Sequence, residues 1–224
     1  MSQTALSSAA VQVISKTLFK KMRLLELFSG TKSVGRSFQK RGWEVVSFDI
    51  SNEFHPTIQC DILTWDYKSC YPPGYFMAIW SSPCCTNYSR ARTRGGPRNL
   101  VGADKLVQKT IEIIDYFNAT YYYIENPWTG LLRNRDVIQH LPLPYRFDYC
   151  QFGTAYRKAT AIWSNNPLLE DHKCTGNCWS FNGRKHAAAA QRGQGKGKYN
   201  FSVNTLHTIP EQLCDGIATA SEQQ

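Results

Sequence analysis

Leu24-Leu25-Glu26-Leu27-Phe28-Ser29-Gly30-Thr31-Lys32-Ser33-Val34-Gly35 is the stretch from which the fold is read. An apolar run of strand length stops at a Ser-Gly turn, and Val34 to Arg41 then carries a helical pattern ended by Gly42. Small residues at such a turn let the backbone approach a ligand, and the helix start offers free N–H groups. The turn has neither the G-x-G-x-x-G spacing of a dinucleotide site nor the Lys-Ser/Thr ending of a P-loop. Downstream, Glu44 to Ile50 reads as a second strand. Its Asp49 falls about 20 residues after the turn, where nucleoside-binding folds set a carboxylate against ribose hydroxyls. Phe76 to Trp80 is a third strand ended by Ser81-Ser82-Pro83. Ala103 to Phe117 has helical spacing, and Tyr121 to Ile124 is a fourth strand ended by Glu125-Asn126-Pro127. Strands and helices alternate, which predicts a doubly wound, mostly parallel α/β sheet. The four polar strand ends should face one cleft.

The chain of 224 residues suits one domain with a small insert. With 42% hydrophobic and 13% aromatic residues it is expected to fold. A net charge of +9 favours a polyanionic partner, nucleic acid first. No apolar run reaches the roughly 18–20 residues of a membrane span, and no obligate protein partner is evident. Eight cysteines in a chain of this size, without a secretory signal, point to a reducing, intracellular setting such as cytoplasm or nucleus. Residues 1–21, Ser/Ala-rich and free of acid, are expected to be a disordered tail; 22–168 form the core; 169–202 are a small basic insert; 203–220 are a C-terminal helix. That helix starts near Pro210 and carries Leu213, Ile217 and Ala218 on one face.

Pro83-Cys84-Cys85-Thr86-Asn87-Tyr88-Ser89 completes a series of four motifs in order. The others are Glu26 to Gly30, Glu125-Asn126-Pro127, and Phe152-Gly153 followed by the basic Arg157-Lys158. In this series the chain resembles the C5-cytosine DNA methyltransferases, especially compact members of phage and virus type, from residue 23 to about 165. The resemblance implies a Rossmann-like fold and S-adenosylmethionine as methyl donor. It implies that Phe28, Ser29, Gly30, Thr31 and Pro83 line the cofactor, that Asp49 holds its ribose, and that Asp61 meets the adenine amine. Cys85 is preferred to Cys84 as nucleophile, because the aromatic-Ser pair then falls three and four residues after the thiol. Chemically, a thiolate adding at C6 of cytosine makes C5 reactive, and a carboxyl at N3, here Glu125, drains charge during the attack. Asn126 orients the loop, and Arg157 or Lys158 contacts the base or the Cys loop. Two positions depart from the family pattern. Thr160 stands where a second Arg is usual, and Lys32 replaces a glycine of the cofactor loop, which puts cofactor affinity in question.

A target base inside a duplex has to be flipped out to meet such a site. Arg90, Arg92 and Arg94 in one acid-free stretch, and Arg184 with Lys185 in another, are the candidate phosphate contacts. DNA is the expected partner, RNA the alternative, and a non-catalytic nucleic-acid-binding relative the third reading. His172, Cys174, Cys178 and His186 could offer zinc ligands, but the spacing departs from the usual C-x2-C pairs, so no metal is assigned and they are read as loop residues.

Overall fold

The computed structural model describes residues 21–92, 96–190 and 199–223. Seven strands make one sheet: β1 (Arg23–Leu27), β2 (Glu44–Asp49), β3 (Ile58–Gln59), β4 (Ala78–Ser81), β5 (Tyr121–Pro127), β6 (Tyr145–Asp148) and β7 (Ala159–Ser164). Their order is β3-β2-β1-β4-β5-β7-β6. The first five run parallel, and β7 lies antiparallel between β5 and β6. Among the described residues, five α-helices accompany them: α1 (Ser33–Lys40), α2 (Tyr67–Cys70), α3 (Leu100–Phe117), α4 (Val203–His207) and α5 (Glu211–Glu222). The expected Rossmann-like, doubly wound sheet is present. Among the described residues no helix is long and apolar enough to cross a membrane.

β1 and β4 sit in the middle of the sheet with both faces covered, so apart from Glu26 their buried positions are apolar or small and show no polar alternation. Successive side chains nevertheless serve opposite layers. Leu25 and Ile79 join Ile111, Ile114 and Phe117 of α3 on one face. Leu24 and Trp80 join Phe38 of α1 and Leu213 and Ile217 of α5 on the other. α3 is capped at its start by Asn99, whose side chain accepts from the Gly102 N–H at 2.8 Å.

Three boundaries differ from the sequence reading. The fourth strand does not stop before Glu125-Asn126-Pro127 but runs through it, because that tripeptide pairs with Ile162, Ala161 and Thr160 of β7. β6 and β7 themselves were not expected; β7 is almost wholly buried, which erases the two-residue alternation that marks a strand. The C-terminal segment 203–220 is two helices, broken at Thr208–Pro210, with Pro210 as the residue before α5. Proline disfavours helical backbone in its predecessor, Ile209. Ser164 is the last residue of β7, so the chain then returns along the outside of β6. Phe147 and His172 form a parallel bridge, with the His172 N–H donating to the Arg146 carbonyl at 2.7 Å and the Asp148 N–H to the His172 carbonyl at 3.0 Å.

Candidate active site

The C-terminal ends of β1, β2, β4 and β5 open into one cavity of about 250 Å³. The first wall is the turn after β1. Phe28, Gly30 and Lys32 all take left-handed backbone, with φ of 55°, 43° and 55°. The tight winding places Phe28, Ser29, Gly30 and Thr31 on the cavity. The Gly30 N–H donates to Asp49 Oδ2 at 2.9 Å, and this bond fastens the turn to the end of β2. Asp49 lines the cavity as well, and a second hollow of about 160 Å³ continues from it past Ser51, Glu53 and Phe54.

Glu26 belongs to the same wall, a role the sequence did not reveal because it lies within the buried run of β1. Its Oε1 accepts from the Gly35 N–H at 3.0 Å. A Cβ at position 35 would come within 2.4 Å of Oε2, so only glycine leaves room for this carboxyl. Among the described residues, Glu26 Oε2 and Ser29 Oγ are buried with no hydrogen-bond partner. Burial raises the Glu26 carboxyl from its ordinary 4.5 to about 7, against the Gly35 hydrogen bond and the charges of Arg36 and Lys32. A buried carboxyl with one free oxygen on a cavity suits a ligand bearing positive charge.

The second wall is the loop after β4. Pro83 is buried, and its carbonyl accepts from Asn126 Nδ2 at 3.0 Å. Asn126 thus ties the loop to β5 while its own side chain stays out of the cavity lining. The Cys85 carbonyl accepts from the N–H groups of Tyr88 (3.0 Å) and Ser89 (2.8 Å), which makes a compact turn. Tyr88 is fully buried and its hydroxyl donates to Asp104 Oδ1 at 2.8 Å. The aromatic-Ser pair is therefore the anchor of the loop. Cys84 and Cys85 both border the cavity; Cys84 is exposed and Cys85 half-buried. Burial, then the charge of Glu125, push the Cys85 thiol up to about 11, with Lys158 pulling the other way.

Glu125 faces the same space from β5. Complete burial raises its carboxyl above the usual range, offset in part by Lys158 and the Ser82 hydroxyl. Lys158, just before β7, is the cation on the cavity; its Nζ donates to the Leu206 carbonyl at 2.9 Å. Arg157 does not reach the cavity: its Nε donates to Asp148 Oδ2 at 2.9 Å. Thr160 is buried inside the sheet, opposite Pro127, and does not border the cavity. Ser82 and His207 also line the site. No sequence signal marks His207, which arrives on α4 from the far end of the chain.

Several expected residues lie elsewhere. Asp61 borders neither hollow; its Oδ1 accepts from the Leu63 N–H at 3.0 Å and closes a turn. Lys32 likewise borders neither hollow, and its ammonium donates to the His55 carbonyl. Arg92 is turned inward, donating to Asn87 Oδ1 (2.8 Å) and the Gly96 carbonyl (3.1 Å), so it braces the cysteine loop. Arg98 does the same through the carbonyls of Asn87 and Ser89. Arg90, Arg184 and Lys185 are exposed. Arg94 lies outside the described residues, as do residues 1–20 of the tail expected over 1–21. His172 is not grouped with the cysteines: its ring stacks on Phe147 at 5.5 Å, and its backbone is held against β6.

The "Probable DNA (cytosine-5)-methyltransferase" of Frog virus 3 (isolate Goorha) is 31% identical over 213 residues, which cover 86% of this chain and 96% of the viral protein. No protein-family model matches. Among solved structures, the S. pombe Dnmt2 methyltransferase is 17% identical, over 65% of this chain and 49% of that one, with a TM-score of 0.45. A substituted DNMT2 from Spodoptera frugiperda is 15% identical, over 81% and 57%, with a TM-score of 0.45. The chain spans about half the length of these two structures.

Proposed function

Because the chain belongs to the DNA (cytosine-5)-methyltransferase family, we propose that it methylates C5 of cytosine in DNA, with Cys85 as nucleophile and Glu125 as the acid that assists it. The observation that carries this reading is the shared cavity: a half-buried thiol and a fully buried carboxyl line one space large enough for a pyrimidine ring.

Burial raises the Glu125 carboxyl, which favours the protonated form that can hydrogen-bond to N3 of an inserted cytosine. That bond withdraws electron density and makes C6 electrophilic. Cys85 gives up its proton to solvent, its sulfur forms a bond to C6, and the C5–C6 electron pair moves to C5, which becomes able to accept a methyl group. Release restores the ring: the C5 hydrogen leaves as a proton and the sulfur departs with the S–C6 electron pair. Lys158 stabilises the negative charge that gathers on sulfur and ring. Asn126 keeps Cys85 at the correct height through the Pro83 carbonyl. A base in a duplex does not reach this depth, so the target nucleotide leaves the stack.

S-adenosylmethionine, when bound, supplies an electrophilic methyl group. The residues of the first wall fit it: Glu26 offers a free carboxylate oxygen for positive charge, Ser29 and Gly30 allow close approach, and Asp49 stands where a ribose is held. Phe54 and Glu53, in the adjoining hollow, take the place expected for Asp61 at the nucleoside end.

DNA carrying 5-fluorocytosine tests the reading, since fluorine at C5 blocks release and traps the adduct. The expected product is a covalent complex mapping to Cys85; attachment at Cys84, or no complex with active protein, overturns the assignment. Tritiated methyl transfer to DNA rather than tRNA separates the two nucleic acid substrates.

A further inference from the structure

The insert after β7 contains no strand or helix between residues 173 and 190, yet it gathers three sulfurs and an imidazole at one point. The Sγ atoms of Cys150, Cys174 and Cys178 and a ring nitrogen of His186 all lie within 4.8 Å of one another. We propose that these four residues bind one Zn²⁺ ion in a closed tetrahedral site.

The distances suit zinc. Zn–S bonds of about 2.3 Å and Zn–N bonds of about 2.0 Å at tetrahedral angles separate neighbouring ligand atoms by roughly 3.5–3.8 Å. Cys174 Sγ and His186 Nε2 are 3.5 Å apart. Three soft thiolates and one imidazole are a donor set that favours zinc over calcium or magnesium. Four protein ligands leave no open position, so the ion is structural.

The local chain is arranged for the same end. Cys150 comes from the 3-10 turn Tyr149–Phe152 that follows β6. Cys174 and Cys178 flank a turn in which Gly176 takes φ 91°, and a Cβ there would meet the Phe181 ring at 3.0 Å. The Gly176 N–H points to Cys174 Sγ at 3.4 Å, a contact that stabilises a thiolate. His186 is positioned by the Phe181–His186 bridge. The Cys174 N–H also donates to the buried Asp148 carboxylate at 2.9 Å, which joins the metal cluster to β6 and Arg157. A disulfide would use two of the three sulfurs and leave the third thiol and the imidazole unexplained. Binding releases the thiol protons to solvent and changes no oxidation state. Its consequence is to fix the insert, with exposed Arg184 and Lys185 between two ligands, beside the catalytic sheet.

Full-length protein purified under reducing conditions from zinc-supplemented medium is expected to hold about one zinc per chain by mass spectrometry. Co²⁺ exchange is expected to give the intense visible bands of tetrahedral thiolate coordination. Cys150→Ser should lose the zinc while His172→Ala keeps it. His186→Cys, which preserves a ligand, should keep the metal and alter the cobalt spectrum, and so guards against a Cys150 variant that merely misfolds. Wild-type protein without zinc that shows no cobalt bands overturns the proposal, as does zinc lost in His172→Ala but retained in Cys150→Ser. A thermal midpoint unmoved by chelator from a zinc-loaded sample overturns the structural role.

Discussion

Glu26 carries the clearest consequence at the scale of one residue. Its folded carboxyl binds a proton more tightly than the unfolded one, so stability falls as pH rises from 4.5 to about 7 and is level above that. A shift of this size amounts to about 3 kcal/mol. Glu26→Gln removes the ionisable group; its melting midpoint should exceed that of wild type above pH 7, and the difference should vanish toward pH 4. Ligand affinity should fall in the same variant, because the free oxygen on the cavity is lost. Glu125→Gln removes the acid proton while keeping a hydrogen bond, and kcat should fall by about 10²–10⁴-fold with little change in DNA affinity. Lys32 shows why glycine is usual at its place: with φ 55° the backbone is left-handed, costing an ordinary residue about 1 kcal/mol. Lys32→Gly should raise the melting midpoint or leave it level and preserve cofactor affinity; a fall in cofactor binding would show that the lysine contributes to the site after all.

Among the elements, α5 links the end of the chain to the β1–β4 face of the sheet. Ile217 is 1% exposed in that layer, and Ile217→Ala should cost about 2–5 kcal/mol in denaturant unfolding. Such elements were legible wherever burial is one-sided. Leu213, Ile217 and Ala218 show helical spacing because only one face of α5 meets the core. Strands β1, β2, β4 and β5 were legible from apolar runs ended by polar residues, and those endings located Gly30, Asp49, Cys85 and Glu125 together. β7 escaped because its sequence, Ala-Thr-Ala-Ile-Trp-Ser, sets small and hydroxyl residues among the apolar ones and so shows neither an apolar run nor a two-residue alternation. Arg157 and Lys158 are adjacent and chemically alike, and only the fold shows that the lysine faces the cavity while Asp148 holds the arginine. Asp61 was assigned from the family resemblance and Arg92 from an acid-free basic stretch; each makes hydrogen bonds within its own loop. Cys150 lies 24 residues before Cys174, beyond the reach of any local spacing rule, and His172 stood in its place.

At the scale of the molecule, the proposed contact with DNA falls to the cations that remain free of the fold. Arg184 and Lys185 are exposed on the insert, whereas Arg92 and Arg98 are consumed in bracing the cysteine loop. Replacing Arg184 and Lys185 by alanine should lower the dependence of log K on log salt by about 2 and weaken binding alike across sequences. Base-edge contacts by these two residues would show instead as a relaxed target sequence. The insert is short, which limits how many bases it can read; a methylome from cells expressing the protein should show a short target, and one long strict motif would contradict this.

Both margins of the sheet are blunted. β3 is only two residues long, and the returning chain at His172 covers the outer side of β6. Unpaired strand backbone is a template on which other copies can stack, and here little of it is offered to a neighbour. The segment that closes the β6 side leads directly into the basic insert, so damage there would uncover strand backbone and favour self-association.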